Sequence, residues 1–290
     1  MDSELTPFPE PSLASQAELP PHEFTPAPPI LSSEPEGPWL ENPSWTGLDL
    51  VLLTLIFLFA LVLLSAIAAI LLKSMHLQVL DPVTRSPSIW VAIPPMFAAY
   101  LGLFAVLYVL ARRRRVPLWS ALSWNWPSGA RCAGLIFSGM ALAIVAGLLD
   151  KLLPVPQSLP IEQIFLQRGA PQLLAVFGVA VAPIVEETMF RGLLYPVTNR
   201  WFRKIFGHPG IGLSFFVTAL AFALLHSSQL GNAWAPVLVL FLVSSVLTFT
   251  RAYTKSLASS FLVHCAYNSM LFGAMFFATD HFRHLEQIGR

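Results

Sequence analysis

Charged side chains are scarce in this chain. Its 290 residues hold 17 Lys and Arg and 16 Asp and Glu, 11% in all, where a soluble domain carries about 25%. That deficit excludes a water-covered globule, because there is too little charge to dress a surface against water. The net charge of +1 gives no basis for nucleic-acid binding. Cysteine is nearly absent. Cys132 and Cys265 both lie in apolar stretches, at no spacing that makes a disulfide framework or a metal knuckle. The first 45 residues hold no Lys or Arg and so lack the basic start of a secretory signal peptide. Cleavage there is not expected.

What fills the chain is apolar: 55% hydrophobic residues and a mean hydropathy of +0.65. The membrane is its solvent. Residues 1–45 are the exception. They carry Asp2, Glu4, Glu10, Glu18, Glu23, Glu34, Glu36 and Glu41 among recurrent prolines. This composition buries too little apolar surface to fold, so an acidic, Pro-rich disordered tail is expected.

Runs of about 17–25 apolar residues, enough to span a bilayer, follow near 48–73, 88–111, 131–149, 171–195, 210–229, 233–250 and 256–279. The fold expected is all-α, a polytopic transmembrane bundle of seven spans, or eight if a short helix escapes the hydropathy reading. Pro94 and Pro95 should kink the second span. The organisation reads as a tail (1–45), N-terminal transmembrane helices (46–165), a catalytic transmembrane core (166–280) and a short polar C-terminal tail (281–290). Arg112, Arg113, Arg114 and Arg115 directly follow the second span, and the positive-inside rule puts them in the cytoplasm. The N-terminus is then cytoplasmic and the C-terminus outside. Trp90, Trp119, Trp124, Trp126 and Trp201 lie near span ends, as interfacial anchors do.

Against this background Glu186, Glu187 and Arg191 stand out, because Leu173 to Val185 carry no charge. At mid-membrane each ionised group opposes insertion by roughly 2.5–3.5 kcal/mol. Such groups pair, face a wet cavity, or do chemistry. Glu187 and Arg191 are spaced i, i+4 with the acid first, the favourable order for an ion pair. Glu186 points about 100° away from Glu187 and must look across the bundle. His226 ends the apolar run that starts at Ala221, with Phe222 one turn before it. His264 and Asn268 share one face of the last span, four residues apart. So placed, they can donate two hydrogen bonds to one point, as an oxyanion requires. Packing alone poorly explains three such signals on three helices.

Other chemistries are absent. There is no HExxH, Ser214 lacks the second glycine of GxSxG, and no aspartate pair sits at mid-membrane. Cys265 adjoins His264 but points elsewhere.

The order Glu186-Glu187-x-x-x-Arg191, Phe222-x-x-x-His226, His264-x-x-x-Asn268 resembles the CPBP family: type II CAAX prenyl proteases, bacteriocin-processing enzymes and Abi-like relatives. The resemblance covers roughly 170–272 and leaves out the first three spans. It implies an intramembrane endopeptidase acting on a membrane-embedded or lipidated peptide. Glu186 with His226 would activate water, His264 and Asn268 would stabilise the oxyanion, and Glu187, Arg191 and Phe222 would support the site. The family has been described both as metalloproteases and as metal-independent glutamate proteases. Glu186, His226 and His264 are the residues available to Zn²⁺, or Glu186 acts as a base without metal. The implied setting is the lipid bilayer of a bacterial plasma membrane. Two other roles compete: a non-catalytic scaffold or self-immunity protein keeping the fold, and a transporter, which the lack of repeated halves disfavours.

One tension follows from the spans. Glu186 falls near mid-membrane, whereas His226 falls near the end of its span. Either the fifth span sits deeper, or residues 197–209, with Arg200, Trp201, Arg203 and Phe206, lie in the membrane plane.

Overall fold

In hydrocarbon every backbone N–H and C=O must find a partner within the chain, which for apolar runs of this length means helices. The computed structural model describes residues 45–82, 84–156, 159–167 and 169–284. It is built of helices and, among the described residues, no strand beyond an isolated bridge between Leu80 and Pro87. The acidic tail and the last six residues, 285–290, lie outside the described residues, apart from Trp45 at the tail's end.

The first helices, α1 (Gly47–Ser74) and α2 (Ile89–Arg113), pair with each other. Thr46 and Asp49 form a reciprocal capping box that starts α1. Asp49 also meets Arg114 at 2.6 Å, tying the start of α1 to the end of α2. The Trp45 indole donates to the Ala121 carbonyl in the short α3 (Leu118–Ala121). Most of α1 exposes large apolar side chains, such as Phe59 and Val62. A helix apolar on all sides suits lipid. Pro94 and Pro95 lie inside α2, which continues through them.

Next come α4 (Gly129–Leu152) and the short α5 (Pro160–Phe165). Residues Ala170–Phe206 then form one 37-residue helix. Three α-helical stretches, α6 (Ala170–Val176), α7 (Ala182–Glu187) and α8 (Tyr195–Phe206), are joined by π-helical turns at Phe177–Val181 and Thr188–Leu194. The chain finishes with α9 (Pro209–Leu225), α10 (Trp234–Thr254) and α11 (Leu257–Ala278). Among the described residues six helices are long and apolar enough to cross a membrane, and α9 is a shorter apolar helix.

The element that departs from the sequence reading is the fourth span, which does not end at 195. The sequence places the apolar run near 171–195, but the helix runs on to Phe206, where α9 packs back on it. Tyr195, Pro196, Val197, Thr198 and Asn199 are all buried. Gly210 lets the two backbones close at the turn, since a Cβ there would overlap the Phe202 carbonyl.

Two apolar cores position the site. One joins α1, α2 and the long helix through Leu53, Tyr100, Leu103, Leu107, Phe177 and Val185. The other joins α4, α10 and α11 through Ala143, Ala146, Val239, Val243, Val263 and Tyr267. Here Gly139 lies against α11, and a Cβ would run into the Val263 carbonyl and Ala266. Replacing Gly139 by Ala is expected to cost about 1–3 kcal/mol through overpacking. A lowered thermal midpoint in detergent micelles is the readout, and an unchanged midpoint contradicts this packing.

Candidate active site

Glu186 and Glu187 end α7, between the two π-turns. A π-turn adds a residue to the helical repeat and so re-aims every side chain that follows it. The two neighbours face different surroundings. Glu187 is sealed, with its side chain and that of Arg191 both fully buried. Arg191 donates through Nη1 to Glu187 Oε1 at 3.1 Å. Its Nη2 donates to the Ser244 carbonyl at 3.0 Å and to Ser244 Oγ at 2.6 Å, and Nε reaches Thr248 Oγ1 at 3.4 Å. The guanidinium also lies over the Phe222 ring, 4.7 Å from its centroid. The arginine fork is thus fixed on three helices, which a lysine point charge could not match.

Glu186 keeps 21% of its side chain exposed, enough for a small reactant to reach it. Its Oε1 lies 3.6 Å from His226 Nε2, and its Oε2 lies 3.6 Å from His264 Nε2. The other nitrogen of each ring is engaged. His226 Nδ1 lies 2.8 Å from the Phe222 carbonyl, and His264 Nδ1 lies 2.9 Å from Glu187 Oε1. A carbonyl only accepts, so His226 Nδ1 donates, and the carboxylate takes the Nδ1 hydrogen of His264 likewise. In their neutral forms the two rings would turn an Nε2 lone pair to Glu186. The 3.6 Å gaps exceed a direct hydrogen bond, a spacing at which a bridging water is considered.

The meeting of Glu186 with His226 follows from the α8–α9 hairpin. Phe206, at the turn, is the midpoint of Glu186 and His226 in the sequence. Antiparallel helices bring residues equidistant from their turn level with each other. Phe190 and Phe222 share that midpoint, and their rings meet at 5.0 Å. The continuous long helix therefore removes the tension between the two span positions.

The sequence places His264 and Asn268 as joint donors to one point; the structure gives each its own partner. Asn268 donates from its side-chain amide to the Gly178 carbonyl at 2.6 Å, on the first π-turn. This leaves the amide a second N–H to give. Sequence reasoning missed Ser244 and Thr248, which hold Arg191. Their i, i+4 spacing in an apolar helix was the available signal.

Among the described residues no group of three or more His, Cys, Asp or Glu is arranged to hold a metal ion. The donor types suit Zn²⁺, but the two imidazoles meet Glu186 at opposite oxygens, whereas ligands of one ion converge on one point.

Apolar helices around a carboxylate–imidazole cluster define a multi-pass membrane protein with its polar site inside the bundle. Residues 169–270 match the family described as Type II CAAX prenyl endopeptidase Rce1-like. Over that segment, which carries all three motifs, the chain is similar to this family of intramembrane proteases. No curated protein and no solved structure matches the chain.

Proposed function

We propose that the protein is an intramembrane endopeptidase in which Glu186 activates water to cut a peptide bond of a membrane-embedded or lipidated substrate. The observation that carries this reading is Glu186 set between two imidazoles whose Nδ1 hydrogens are already committed. A water beside Glu186 gives one hydrogen to the carboxylate and the other to an Nε2 lone pair, so its oxygen is free to attack. As the oxygen bonds to the carbonyl carbon, Glu186 takes the proton and negative charge moves to the carbonyl oxygen. Glu186 then passes that proton to the amide nitrogen, the C–N bond breaks, and a carboxylic acid and an amine leave. Glu187 and Arg191 hold His264 in place.

This cycle is complete with side chains of the chain alone. Cleavage of a membrane-inserted peptide library by purified protein is therefore expected to survive a strong chelator. Loss on chelation with recovery on adding Zn²⁺ would instead assign the activation of water to a metal. The N-terminus is proposed to be cytoplasmic. The Asp49–Arg114 bridge supports this by keeping the start of α1 on the same side as the Arg112–Arg115 run.

A further inference from the structure

We propose that the tip of the α8–α9 hairpin, from Arg200 to His208, is a binding surface for anionic lipid headgroups. Arg200, Arg203 and Lys204 meet the phosphates, and Trp201, Ile205 and Phe206 enter the layer of the upper acyl chains.

The place of the hairpin in the fold sets the problem. Gly192 of the long helix lies against Leu122, just after α3, and Leu257, at the start of α11, because a Cβ there would touch both side chains. The Leu257 N–H donates to the Ser123 carbonyl, and the Ser256 hydroxyl to that of Asn125. This is the end of the bundle where α2 has stopped and α11 begins. The long helix passes that level and runs on to Phe206, roughly 20 Å further along its axis. Beside it the uncharged, apolar α9 returns, and α8 also packs against α1. An apolar hairpin standing out into water would be costly, so beyond that level it leans along the bilayer surface.

The tip has the side chains for such a place. Arg203 and Lys204 follow Arg200 by three and four residues, so the three cations share one face. Trp201 and Ile205, also four apart, form the neighbouring stripe, followed by Phe206. These three apolar side chains are 63%, 58% and 52% exposed. Cations in the last turn of α8 suit its helix dipole, but the dipole gives no reason for large exposed apolar groups beside them. A basic stripe flanked by Trp and Phe is the pattern of a helix lying in the membrane interface. Among the described residues none of the three cations forms an ion pair. Asp49, at the same end of the bundle, is already held by Arg114. A zwitterionic headgroup brings its own cation, so the uncompensated charge selects an anionic lipid. A soluble acidic peptide would satisfy the cations but leave the apolar stripe in water.

The test titrates full-length protein in micelles with phosphatidylglycerol or phosphatidylcholine of the same acyl chains, read by native mass spectrometry. Wild type is expected to bind phosphatidylglycerol at least about tenfold more tightly, given about 1 kcal/mol for each basic residue near the surface. Arg200→Gln/Arg203→Gln/Lys204→Gln should lose on the order of 100-fold in that affinity, with its thermal midpoint and phosphatidylcholine binding unchanged. Arg200→Lys/Arg203→Lys, which keeps the charge, should bind like wild type. So should Arg112→Gln/Arg113→Gln/Arg115→Gln, which removes the same charge elsewhere at that end. Equal binding of the two lipids by wild type overturns the proposal, as does an equal loss in the Arg112 triple variant or in the lysine variant. A loss in the Arg200 triple variant matched by a fallen midpoint also overturns it. A soluble poly-glutamate peptide is titrated in parallel. If the Arg200 triple variant loses that peptide and keeps phosphatidylglycerol, the surface serves a protein partner and the proposal fails.

Discussion

Glu186→Gln is expected to lower peptide cleavage by about 10²–10⁴-fold, the usual contribution of a positioned general base. The amide keeps the shape of the carboxylate but cannot take a proton from water. It also presents N–H to one of the two Nε2 lone pairs, so the cluster still packs. The thermal midpoint should therefore stay near that of wild type, because Glu186 is the partly exposed member of the glutamate pair. Cleavage rates with circular dichroism on the same samples check both halves. A variant that is inactive and also unfolded would assign Glu186 to structure instead.

The second large effect is on stability. Arg191→Met should destabilise the protein by about 3–5 kcal/mol, the cost of leaving a buried charge without its partner. Glu187 is fully buried, and Arg191 Nη1 is the charged group on its Oε1. The change also frees Ser244 and Thr248 on α10 from the guanidinium. Arg191→Lys should recover only part of the loss, because an ammonium cannot reach Glu187, Ser244 and Thr248 in one geometry. The double variant Glu187→Gln/Arg191→Met should be more stable than Arg191→Met alone, since it removes the orphaned charge. Denaturation of wild type, Glu187→Gln, Arg191→Met and the double variant in micelles measures this coupling, and strict additivity of the two single losses would contradict it.

Much of this architecture could be read from the chain because the bilayer permits few alternatives. A run of some twenty apolar residues without charge has one satisfactory form, and the limits of α1, α2, α4, α10 and α11 lie within a few residues of the hydropathy reading. The Glu187–Arg191 pair was equally visible, because it is local and fixed by helical spacing.

What sequence concealed is tertiary. Pro196 and its polar neighbours stop a helix in isolation, but α9 covers them and the helix persists to Phe206. Once that hairpin exists, counting back from its turn brings Glu186 level with His226. The π-turns carry no sequence mark that hydropathy detects, so the Asn268–Gly178 contact could not be anticipated. His264 has two nitrogens and two glutamates in reach. Only the fold shows that Nδ1 serves Glu187 while Nε2 faces Glu186.

The central claim is that water, activated by Glu186, enters the product directly. Its most direct test is a single turnover of the peptide library in ¹⁸O-water by wild type and Glu186→Gln, read by mass spectrometry. The account predicts one ¹⁸O in the new carboxyl terminus formed by wild type, no label in the Glu186 side chain, and almost no labelled product from Glu186→Gln. Label in Glu186, or labelled product formed equally well by Glu186→Gln, would contradict it.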